Sequence, residues 1–296
     1  MSRSADDQGP GRDRHITPLD LQQVERPWGG TGLPALGLPA ADGRRIGEWW
    51  LPTDELGLLV KIIDAREHLS IQLHPDDATA RSMGLENGKA EAWYVLDTDP
   101  DAVLWVGVQE GIDDQALLRA ARKGEDVSGM LNRVPVRPGM VINVPPGTVH
   151  AIGAGVVLLE VQQISDTTFR LFDWNRLPPR PLHLEQAKAA LRRDPGGGLV
   201  SSPEAPPPGK NGVTLLLRTS LFELAALELT APFETGPIDR PEVWFAEAGQ
   251  AVFRTGKEEL ALPAGRFCRI STISCRLTPA PVGSGTSARL IRIRAV

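Results

Sequence analysis

The stretch from Leu69 to Val95 constrains this chain more than any other. Over LSIQLH the side chains alternate between apolar and polar, which predicts a strand with Gln72 and His74 on one face. A polar loop follows, and the same alternation then predicts a second strand presenting Lys89, Glu91 and Trp93 together. An amide oxygen, an imidazole, an ammonium and a carboxylate thus converge on one space. Groups gathered this way need sheets that close around them, so the remainder reads as β scaffold with one further imidazole, His150 in PPGTVH.

A chain of 296 residues has room for two domains, or for one large β-rich domain with an appendage. Its formal charge of −5 argues against a nucleic acid or an anionic membrane surface as partner. No apolar run reaches the roughly 18 residues of a membrane span, and the first residues are polar rather than signal-like. Cys268 and Cys275 are the two cysteines; they read as buried free thiols, since one pair cannot build a disulfide framework or a closed zinc knot. These features point to a cytoplasmic protein. With only six lysines beside 26 arginines, Lys61 inside the apolar run LGLLVKIIDA is conspicuous. An unpaired buried ammonium is costly, so it either faces a polar cavity or pairs with a carboxylate.

Residues 1–15 are charged and carry no periodicity, which predicts a disordered tail. Residues 16–195 read as the main unit, with strands interrupted by helical segments at 113–133 and 183–193. In the first of these, Leu117, Leu118 and Ala121 carry helical spacing, and Asp113 and Asp114 suit the first turn. The Pro/Gly-rich stretch 196–212 reads as a linker, and 213–296 as a smaller module of short strands.

Gly139, Pro145, Gly147 and His150 stand at the spacing of the second motif of the cupin β-barrels. A Pro/Gly turn fixes the strand start, and the histidine then points into the barrel mouth. Two departures are plain: Ala154 replaces the expected Asn, and the first motif's His-x-His becomes Gln72-x-His74, with Glu91 after a long loop. The expected fold is mainly β, a cupin-type jelly-roll barrel with a few helices plus a smaller C-terminal β-barrel module. As a set, Gln72, His74, Glu91 and His150 make a mixed N/O metal site that suits zinc; ligand chemistry alone also admits Mn, Fe or Co. Taken singly, each has a plainer reading. A strand histidine is commonly just hydrogen-bonded, and Glu91 could serve as an ion-pair partner of Lys89.

The fragments LLVKIIDA, LSIQLHPDD, GKAEAWYVLD, VPPGTVHAIGAG, LEVQQISDTTFRLFDWNR and RPLHLEQA, in this order, resemble the short bacterial type I phosphomannose isomerases. The similarity is close over residues 20–195 and loose beyond. It implies one zinc ion on Gln72, His74, Glu91 and His150, and a sugar-phosphate pocket lined by Lys61, Lys89, Asp166 and Arg170. Trp93, Phe169 and Trp174 read as core or pocket wall, and Asp76 and Asp77 as loop caps. The chain departs from the family where the segment before the lysine strand is cut short, and where Trp49 replaces a small hydroxyl residue. The helical insertion of longer relatives is also reduced to 113–133.

The resemblance implies a metal-dependent aldose–ketose isomerase interconverting mannose 6-phosphate and fructose 6-phosphate through a cis-enediol. A small sugar phosphate is the expected partner, with neither nucleic acid nor membrane. Lys61 and Lys89 would stand beside the enediolate, their ammonium groups acidified by the metal and each other. Asp166 would serve proton transfer or ring opening, and Arg170 would hold substrate charge, the two orienting each other. The base acting at C1 and C2 is not assigned. Two alternatives stay open: a cupin metalloenzyme of another class such as a dioxygenase, and a sugar-phosphate-binding cupin without turnover.

Overall fold

A computed structural model describes residues 15–39, 43–193, 200–201, 210–256, 258–272, 278–283 and 285–296. Of the tail expected over 1–15, all but His15 lies outside these residues, as do 196–199 and 202–209 of the expected linker and Cys275.

The chain is mainly β, as expected, and its sheets stack in layers. A central sheet carries seven strands, in the order Val200–Ser201, Val141–Val144, Glu91–Thr98, Val156–Gln163, Leu58–Ala65, Ile46–Leu51 and Gln22–Gly30. An outer sheet faces it, ordered Leu131–Pro135, Val103–Val108, His150–Ile152, Ile71–Leu73 and Phe169–Phe172. Strand pairing within both sheets is antiparallel. The helices Asp114–Arg122 and Leu184–Ala190 cover the far side of the outer sheet, setting Leu117, Leu118, Ala121, Ala187 and Ala190 against Ile71, Leu73, Val149 and Leu171. Asp113 caps the first of these helices by accepting from Ala116 N at 3.0 Å.

Behind the central sheet lies a six-stranded C-terminal sheet, and behind that a three-stranded one. Period-two alternation makes the central sheet serve two layers at once. Trp49, Leu51, Val60, Ile62, Ala92, Tyr94, Leu159 and Val161 pack against Phe222, Leu224, Phe245, Ile291 and Ile293 of the C-terminal sheet. The intervening side chains, among them Ile63, Trp93, Val95 and Leu158, face the outer sheet. Trp49 is therefore a core residue of the back layer, and that departure from the family pattern does not reach the pocket.

Two local features differ from the expectations. The segment between the ligand strands holds a short helix, Asp77–Ser82, whose N-cap Asp76 accepts from Thr79 N at 2.6 Å. Its six residues lack an apolar stripe, so no periodicity announces it. The strand Ile16–Leu19 pairs with Phe267–Ile270 in the C-terminal sheet, and Val200–Ser201 pairs with Val141 and Ile142 in the central sheet. Pairing partners this distant in sequence leave no mark on the local pattern.

Candidate active site

The pocket opens between the central and outer sheets and has a volume of about 490 Å³. Ladder register places its floor. On the central sheet Trp50 stands opposite Lys61, Lys61 opposite Glu160, and Glu160 opposite Trp93, while Gln162 stands opposite Glu91. On the outer sheet Gln72 lies between His150 and Arg170. Side chains from six strands are thus aimed into one cavity by register alone.

The loops between strands are fastened to hold the remaining groups. Gly147 N donates to His74 O at 2.7 Å, and Lys89 N to Pro75 O at 3.0 Å. A Cβ on Gly88 would lie 2.6 Å from the backbone of Asp76 and Asp77, so only glycine lets the chain pass there and deliver Lys89. Gly147, at φ +86°, supplies the left-handed turn before His150.

His74, Glu91 and His150 are each about 1% exposed and form a compact group, their candidate ligand atoms all within 4.8 Å of one another. The Nδ1 of His74 lies 2.7 Å from Thr167 O and that of His150 2.9 Å from Thr148 O. A carbonyl can only accept, so each ring carries its proton on Nδ1 and turns a bare Nε2 inward. Those Nε2 atoms lie 3.5 and 3.2 Å from the Glu91 carboxylate. His150 Nε2 has no hydrogen-bond partner. Lys89 Nζ reaches His74 Nε2 at 3.3 Å and Glu91 at 2.8 Å, but the His150 lone pair still faces the carboxylate with no proton between them, so this donor set fits a divalent ion. The neutral imidazoles and the carbonyls behind them are the usual arrangement for metal-binding histidines.

Electrostatics keeps the donors in their ligating forms. Burial pushes His74 down, with the Lys89 ammonium adding to it, and burial holds His150 down to about 4. For Glu91 burial pushes upward, but the Lys89 ammonium 2.8 Å away outweighs it and holds the carboxyl well below its usual range. Gln72 reaches the same cavity, where its Oε1 accepts from Ser70 Oγ at 2.8 Å and keeps a second lone pair.

Lys61 and Lys89 are nearly buried and share a partner. Lys61 Nζ lies 3.0 Å from Glu160 Oε1, and Lys89 Nζ lies 2.8 Å from Glu91 and 3.8 Å from Glu160. Both ion-pair readings of these residues are therefore real, yet both amines also line the cavity. Burial pushes Lys89 down, but Glu91 and Glu160 outweigh it and raise it. Trp50 puts its ring 5.4 Å from the Lys61 amine, a cation–π contact.

Glu160 and Glu48 were not singled out from the sequence. Each sits buried on the same strand face as the lysines and lines the cavity. Glu160 also accepts from Trp93 Nε1 at 3.1 Å, and Glu48 accepts twice from Arg26 and once from Trp50. The signal existed: a carboxylate inside the apolar run VVLLEV is as anomalous as Lys61. Asp166 and Arg170 both line the cavity, but among the described residues no ion pair joins them, against expectation. Arg170 instead donates to Ser70 Oγ at 3.2 Å and to Pro181 O at 2.9 Å. Phe169 packs in the core beneath the helices, while Trp174 meets His68 and Trp105 in tilted ring contacts.

No family model matches the chain. The mannose-6-phosphate isomerase ManA of Bacillus subtilis (strain 168) is 34% identical over 251 residues, which cover 70% of this chain and 76% of that protein. The mannose-6-phosphate isomerase of Streptococcus mutans serotype c is 42% identical over 134 residues, 44% of this chain and 42% of its own. Among solved structures, the mannose 6-phosphate isomerase from Bacillus subtilis superposes with a TM-score of 0.80 at 25% identity, covering 94% of this chain and 99% of that one. Layer for layer and over nearly its whole length, the chain belongs to the mannose-6-phosphate isomerases.

Proposed function

We propose that this protein interconverts mannose 6-phosphate and fructose 6-phosphate, using one zinc ion held by Gln72, His74, Glu91 and His150. The observation that carries the reading is the buried wall itself. Two amines and the buried carboxylates Glu91 and Glu160 line a cavity of sugar-phosphate size, with two imidazoles turned toward Glu91 behind it, beside Arg170, which has no carboxylate partner among the described residues.

Isomerisation removes a proton at C2 and returns one at C1 through a cis-enediol. The barrier is the negative charge that develops on O1 and O2. Lys61 and Lys89, ion-paired with Glu160 and Glu91, present ammonium donors to those oxygens in the cavity. A bound divalent ion would polarise the sugar carbonyl and stabilise the same charge. Arg170 offers its remaining N–H donors to the phosphate, and this contact fixes how far the carbon chain reaches toward the amines. Asp166, exposed on the rim, is placed for ring opening or proton transfer to the sugar hydroxyls. The donor chemistry of two neutral imidazoles, an amide and a carboxylate suits zinc as the resident metal.

We further assign catalysis to the unit at 16–195, with 213–296 as its supporting module, although the Ile16–Leu19 strand lies in the C-terminal sheet. Among the described residues no helix is long and apolar enough to cross a membrane. The buried, unpaired Cys268, its thiol pushed up by burial, fits a reducing cytoplasm. A coupled assay for fructose 6-phosphate, run before and after chelation, tests the proposal. Turnover abolished by chelation and restored by zinc is expected; a metal-loaded protein that yields no fructose 6-phosphate would overturn it.

A further inference from the structure

One end of the cavity holds a cationic pair that the reading above does not use in full. Arg170 projects from the Phe169–Phe172 strand and Arg180 from the loop that follows, and both line the cavity. That loop is stitched to the strand beside Arg170. Arg170 Nη1 donates to Pro181 O at 2.9 Å, Arg170 N to His183 Nδ1 at 3.1 Å, and His183 N to Arg170 O at 2.8 Å. Three bonds, to residues 181 and 183, thereby hold the loop just after Arg180 against Arg170.

Asp173 fixes the Arg180 head as well. It is 7% exposed and accepts from Arg180 Nε at 2.7 Å and from Nη2 at 2.5 Å. Two of the five donors of the fork are thereby committed, and the others remain available. Asp173 is shared with Arg176, whose Nε lies 3.7 Å away, and Glu67 pairs with both Arg176 and Arg45 at 2.6 Å. Guanidiniums therefore outnumber carboxylates at this corner, and Arg170 has no ion pair there among the described residues. Burial, and then the nearness of Arg180, push Arg170 below its usual range, which is the strain that an anion would relieve.

The geometry points to Arg180 as a second phosphate-positioning residue that closes a two-arginine clamp with Arg170 around the substrate's phosphate. This rests on the sugar-phosphate reading and deepens it. Asp173 acts as the fastening of that clamp, orienting the fork without touching the substrate.

The test replaces the fastened pair together, as R180Q/D173N, so that no buried carboxylate is stranded. KM for mannose 6-phosphate should rise about 10- to 100-fold, with kcat within about threefold, because a charge-assisted contact to a remote group is lost. R180K in the native background should fall between the two, keeping the charge but losing the fork. Orthophosphate should raise the thermal midpoint of the wild-type protein and leave that of R180Q/D173N unmoved. An unchanged KM, or a fall in kcat alone alongside a lowered midpoint, would overturn the clamp in favour of a purely structural loop. The orthophosphate arm needs no turnover. If the protein proves inactive on mannose 6-phosphate, a midpoint shift seen in the wild type and lost in the variant still supports the clamp, whereas equal shifts or none overturn it.

Discussion

Two spaces between facing sheets lie on opposite sides of this molecule, and they are filled in opposite ways. Between the C-terminal and three-stranded sheets the interior is solid: Leu229, Trp244, Phe253, Leu262, Ile270 and Leu290 interdigitate. Between the central and outer sheets part of the interior is apolar, but the floor of the cavity holds Lys61, Lys89, Glu91 and Glu160, with two histidines beside them. Similar layers thus give a stabilising core in one place and a reactive cavity in the other. The architecture does not decide which; the residues at a few inward positions do.

That contrast predicts which property each region controls. Phe253→Ala in the solid layer should cost about 3–5 kcal/mol, enough to unfold much of the protein, while the folded fraction keeps its turnover per molecule. Denaturant titration alongside active-site counting checks this. In the cavity the reverse holds: Lys61→Ala with Arg170→Ala should lower kcat/KM by roughly 100-fold or more with metal content unchanged. A fully active double variant would remove both residues from the mechanism. His150→Ala should lose the metal outright, read by elemental analysis of the purified protein, with a smaller loss of folding midpoint.

The smallest effect concerns a charge at the boundary of the two regimes. Asp64 lies on the central sheet with no exposed surface, and burial, opposed by Arg66, pushes its carboxyl from 3.8 up to about 6. A carboxyl that binds its proton more tightly when folded adds stability at low pH. That contribution is complete below the unfolded value and fades as pH rises through about 6. Asp64→Asn should therefore flatten the fall in stability between about pH 4 and 6, a difference of about 1–2 kcal/mol after allowing for screening beside the half-exposed Arg66. Denaturation midpoints across that range measure it.

Much of this was legible in the residues. Gln72, His74, Glu91 and His150 stand out because polar groups recur at fixed parity within strands, and the structure puts the two histidines and Glu91 together as a compact trio. Lys61 is visible for the same reason. Glu160 carried an equal signal and was passed over, because a carboxylate next to an apolar run is easily taken for a strand-edge charge. The partnership of Arg170 with Pro181 and Ser70 rather than Asp166 was not legible. It depends on how a loop folds back, which no short-range pattern records. The same is true of Ile16–Leu19, whose partner strand lies some 250 residues away.

The two-sided use of the central sheet restricts how such a chain can diverge. Inserting or deleting one residue within Leu58–Ala65 or Val156–Gln163 would send the amine or its carboxylate into the back layer and bring an isoleucine or valine forward. Substitution can proceed there only in kind, and differences in length are pushed out to the connections. Lineages of this enzyme should therefore vary by remodelling the rim of the cavity while the parity of its floor stays frozen.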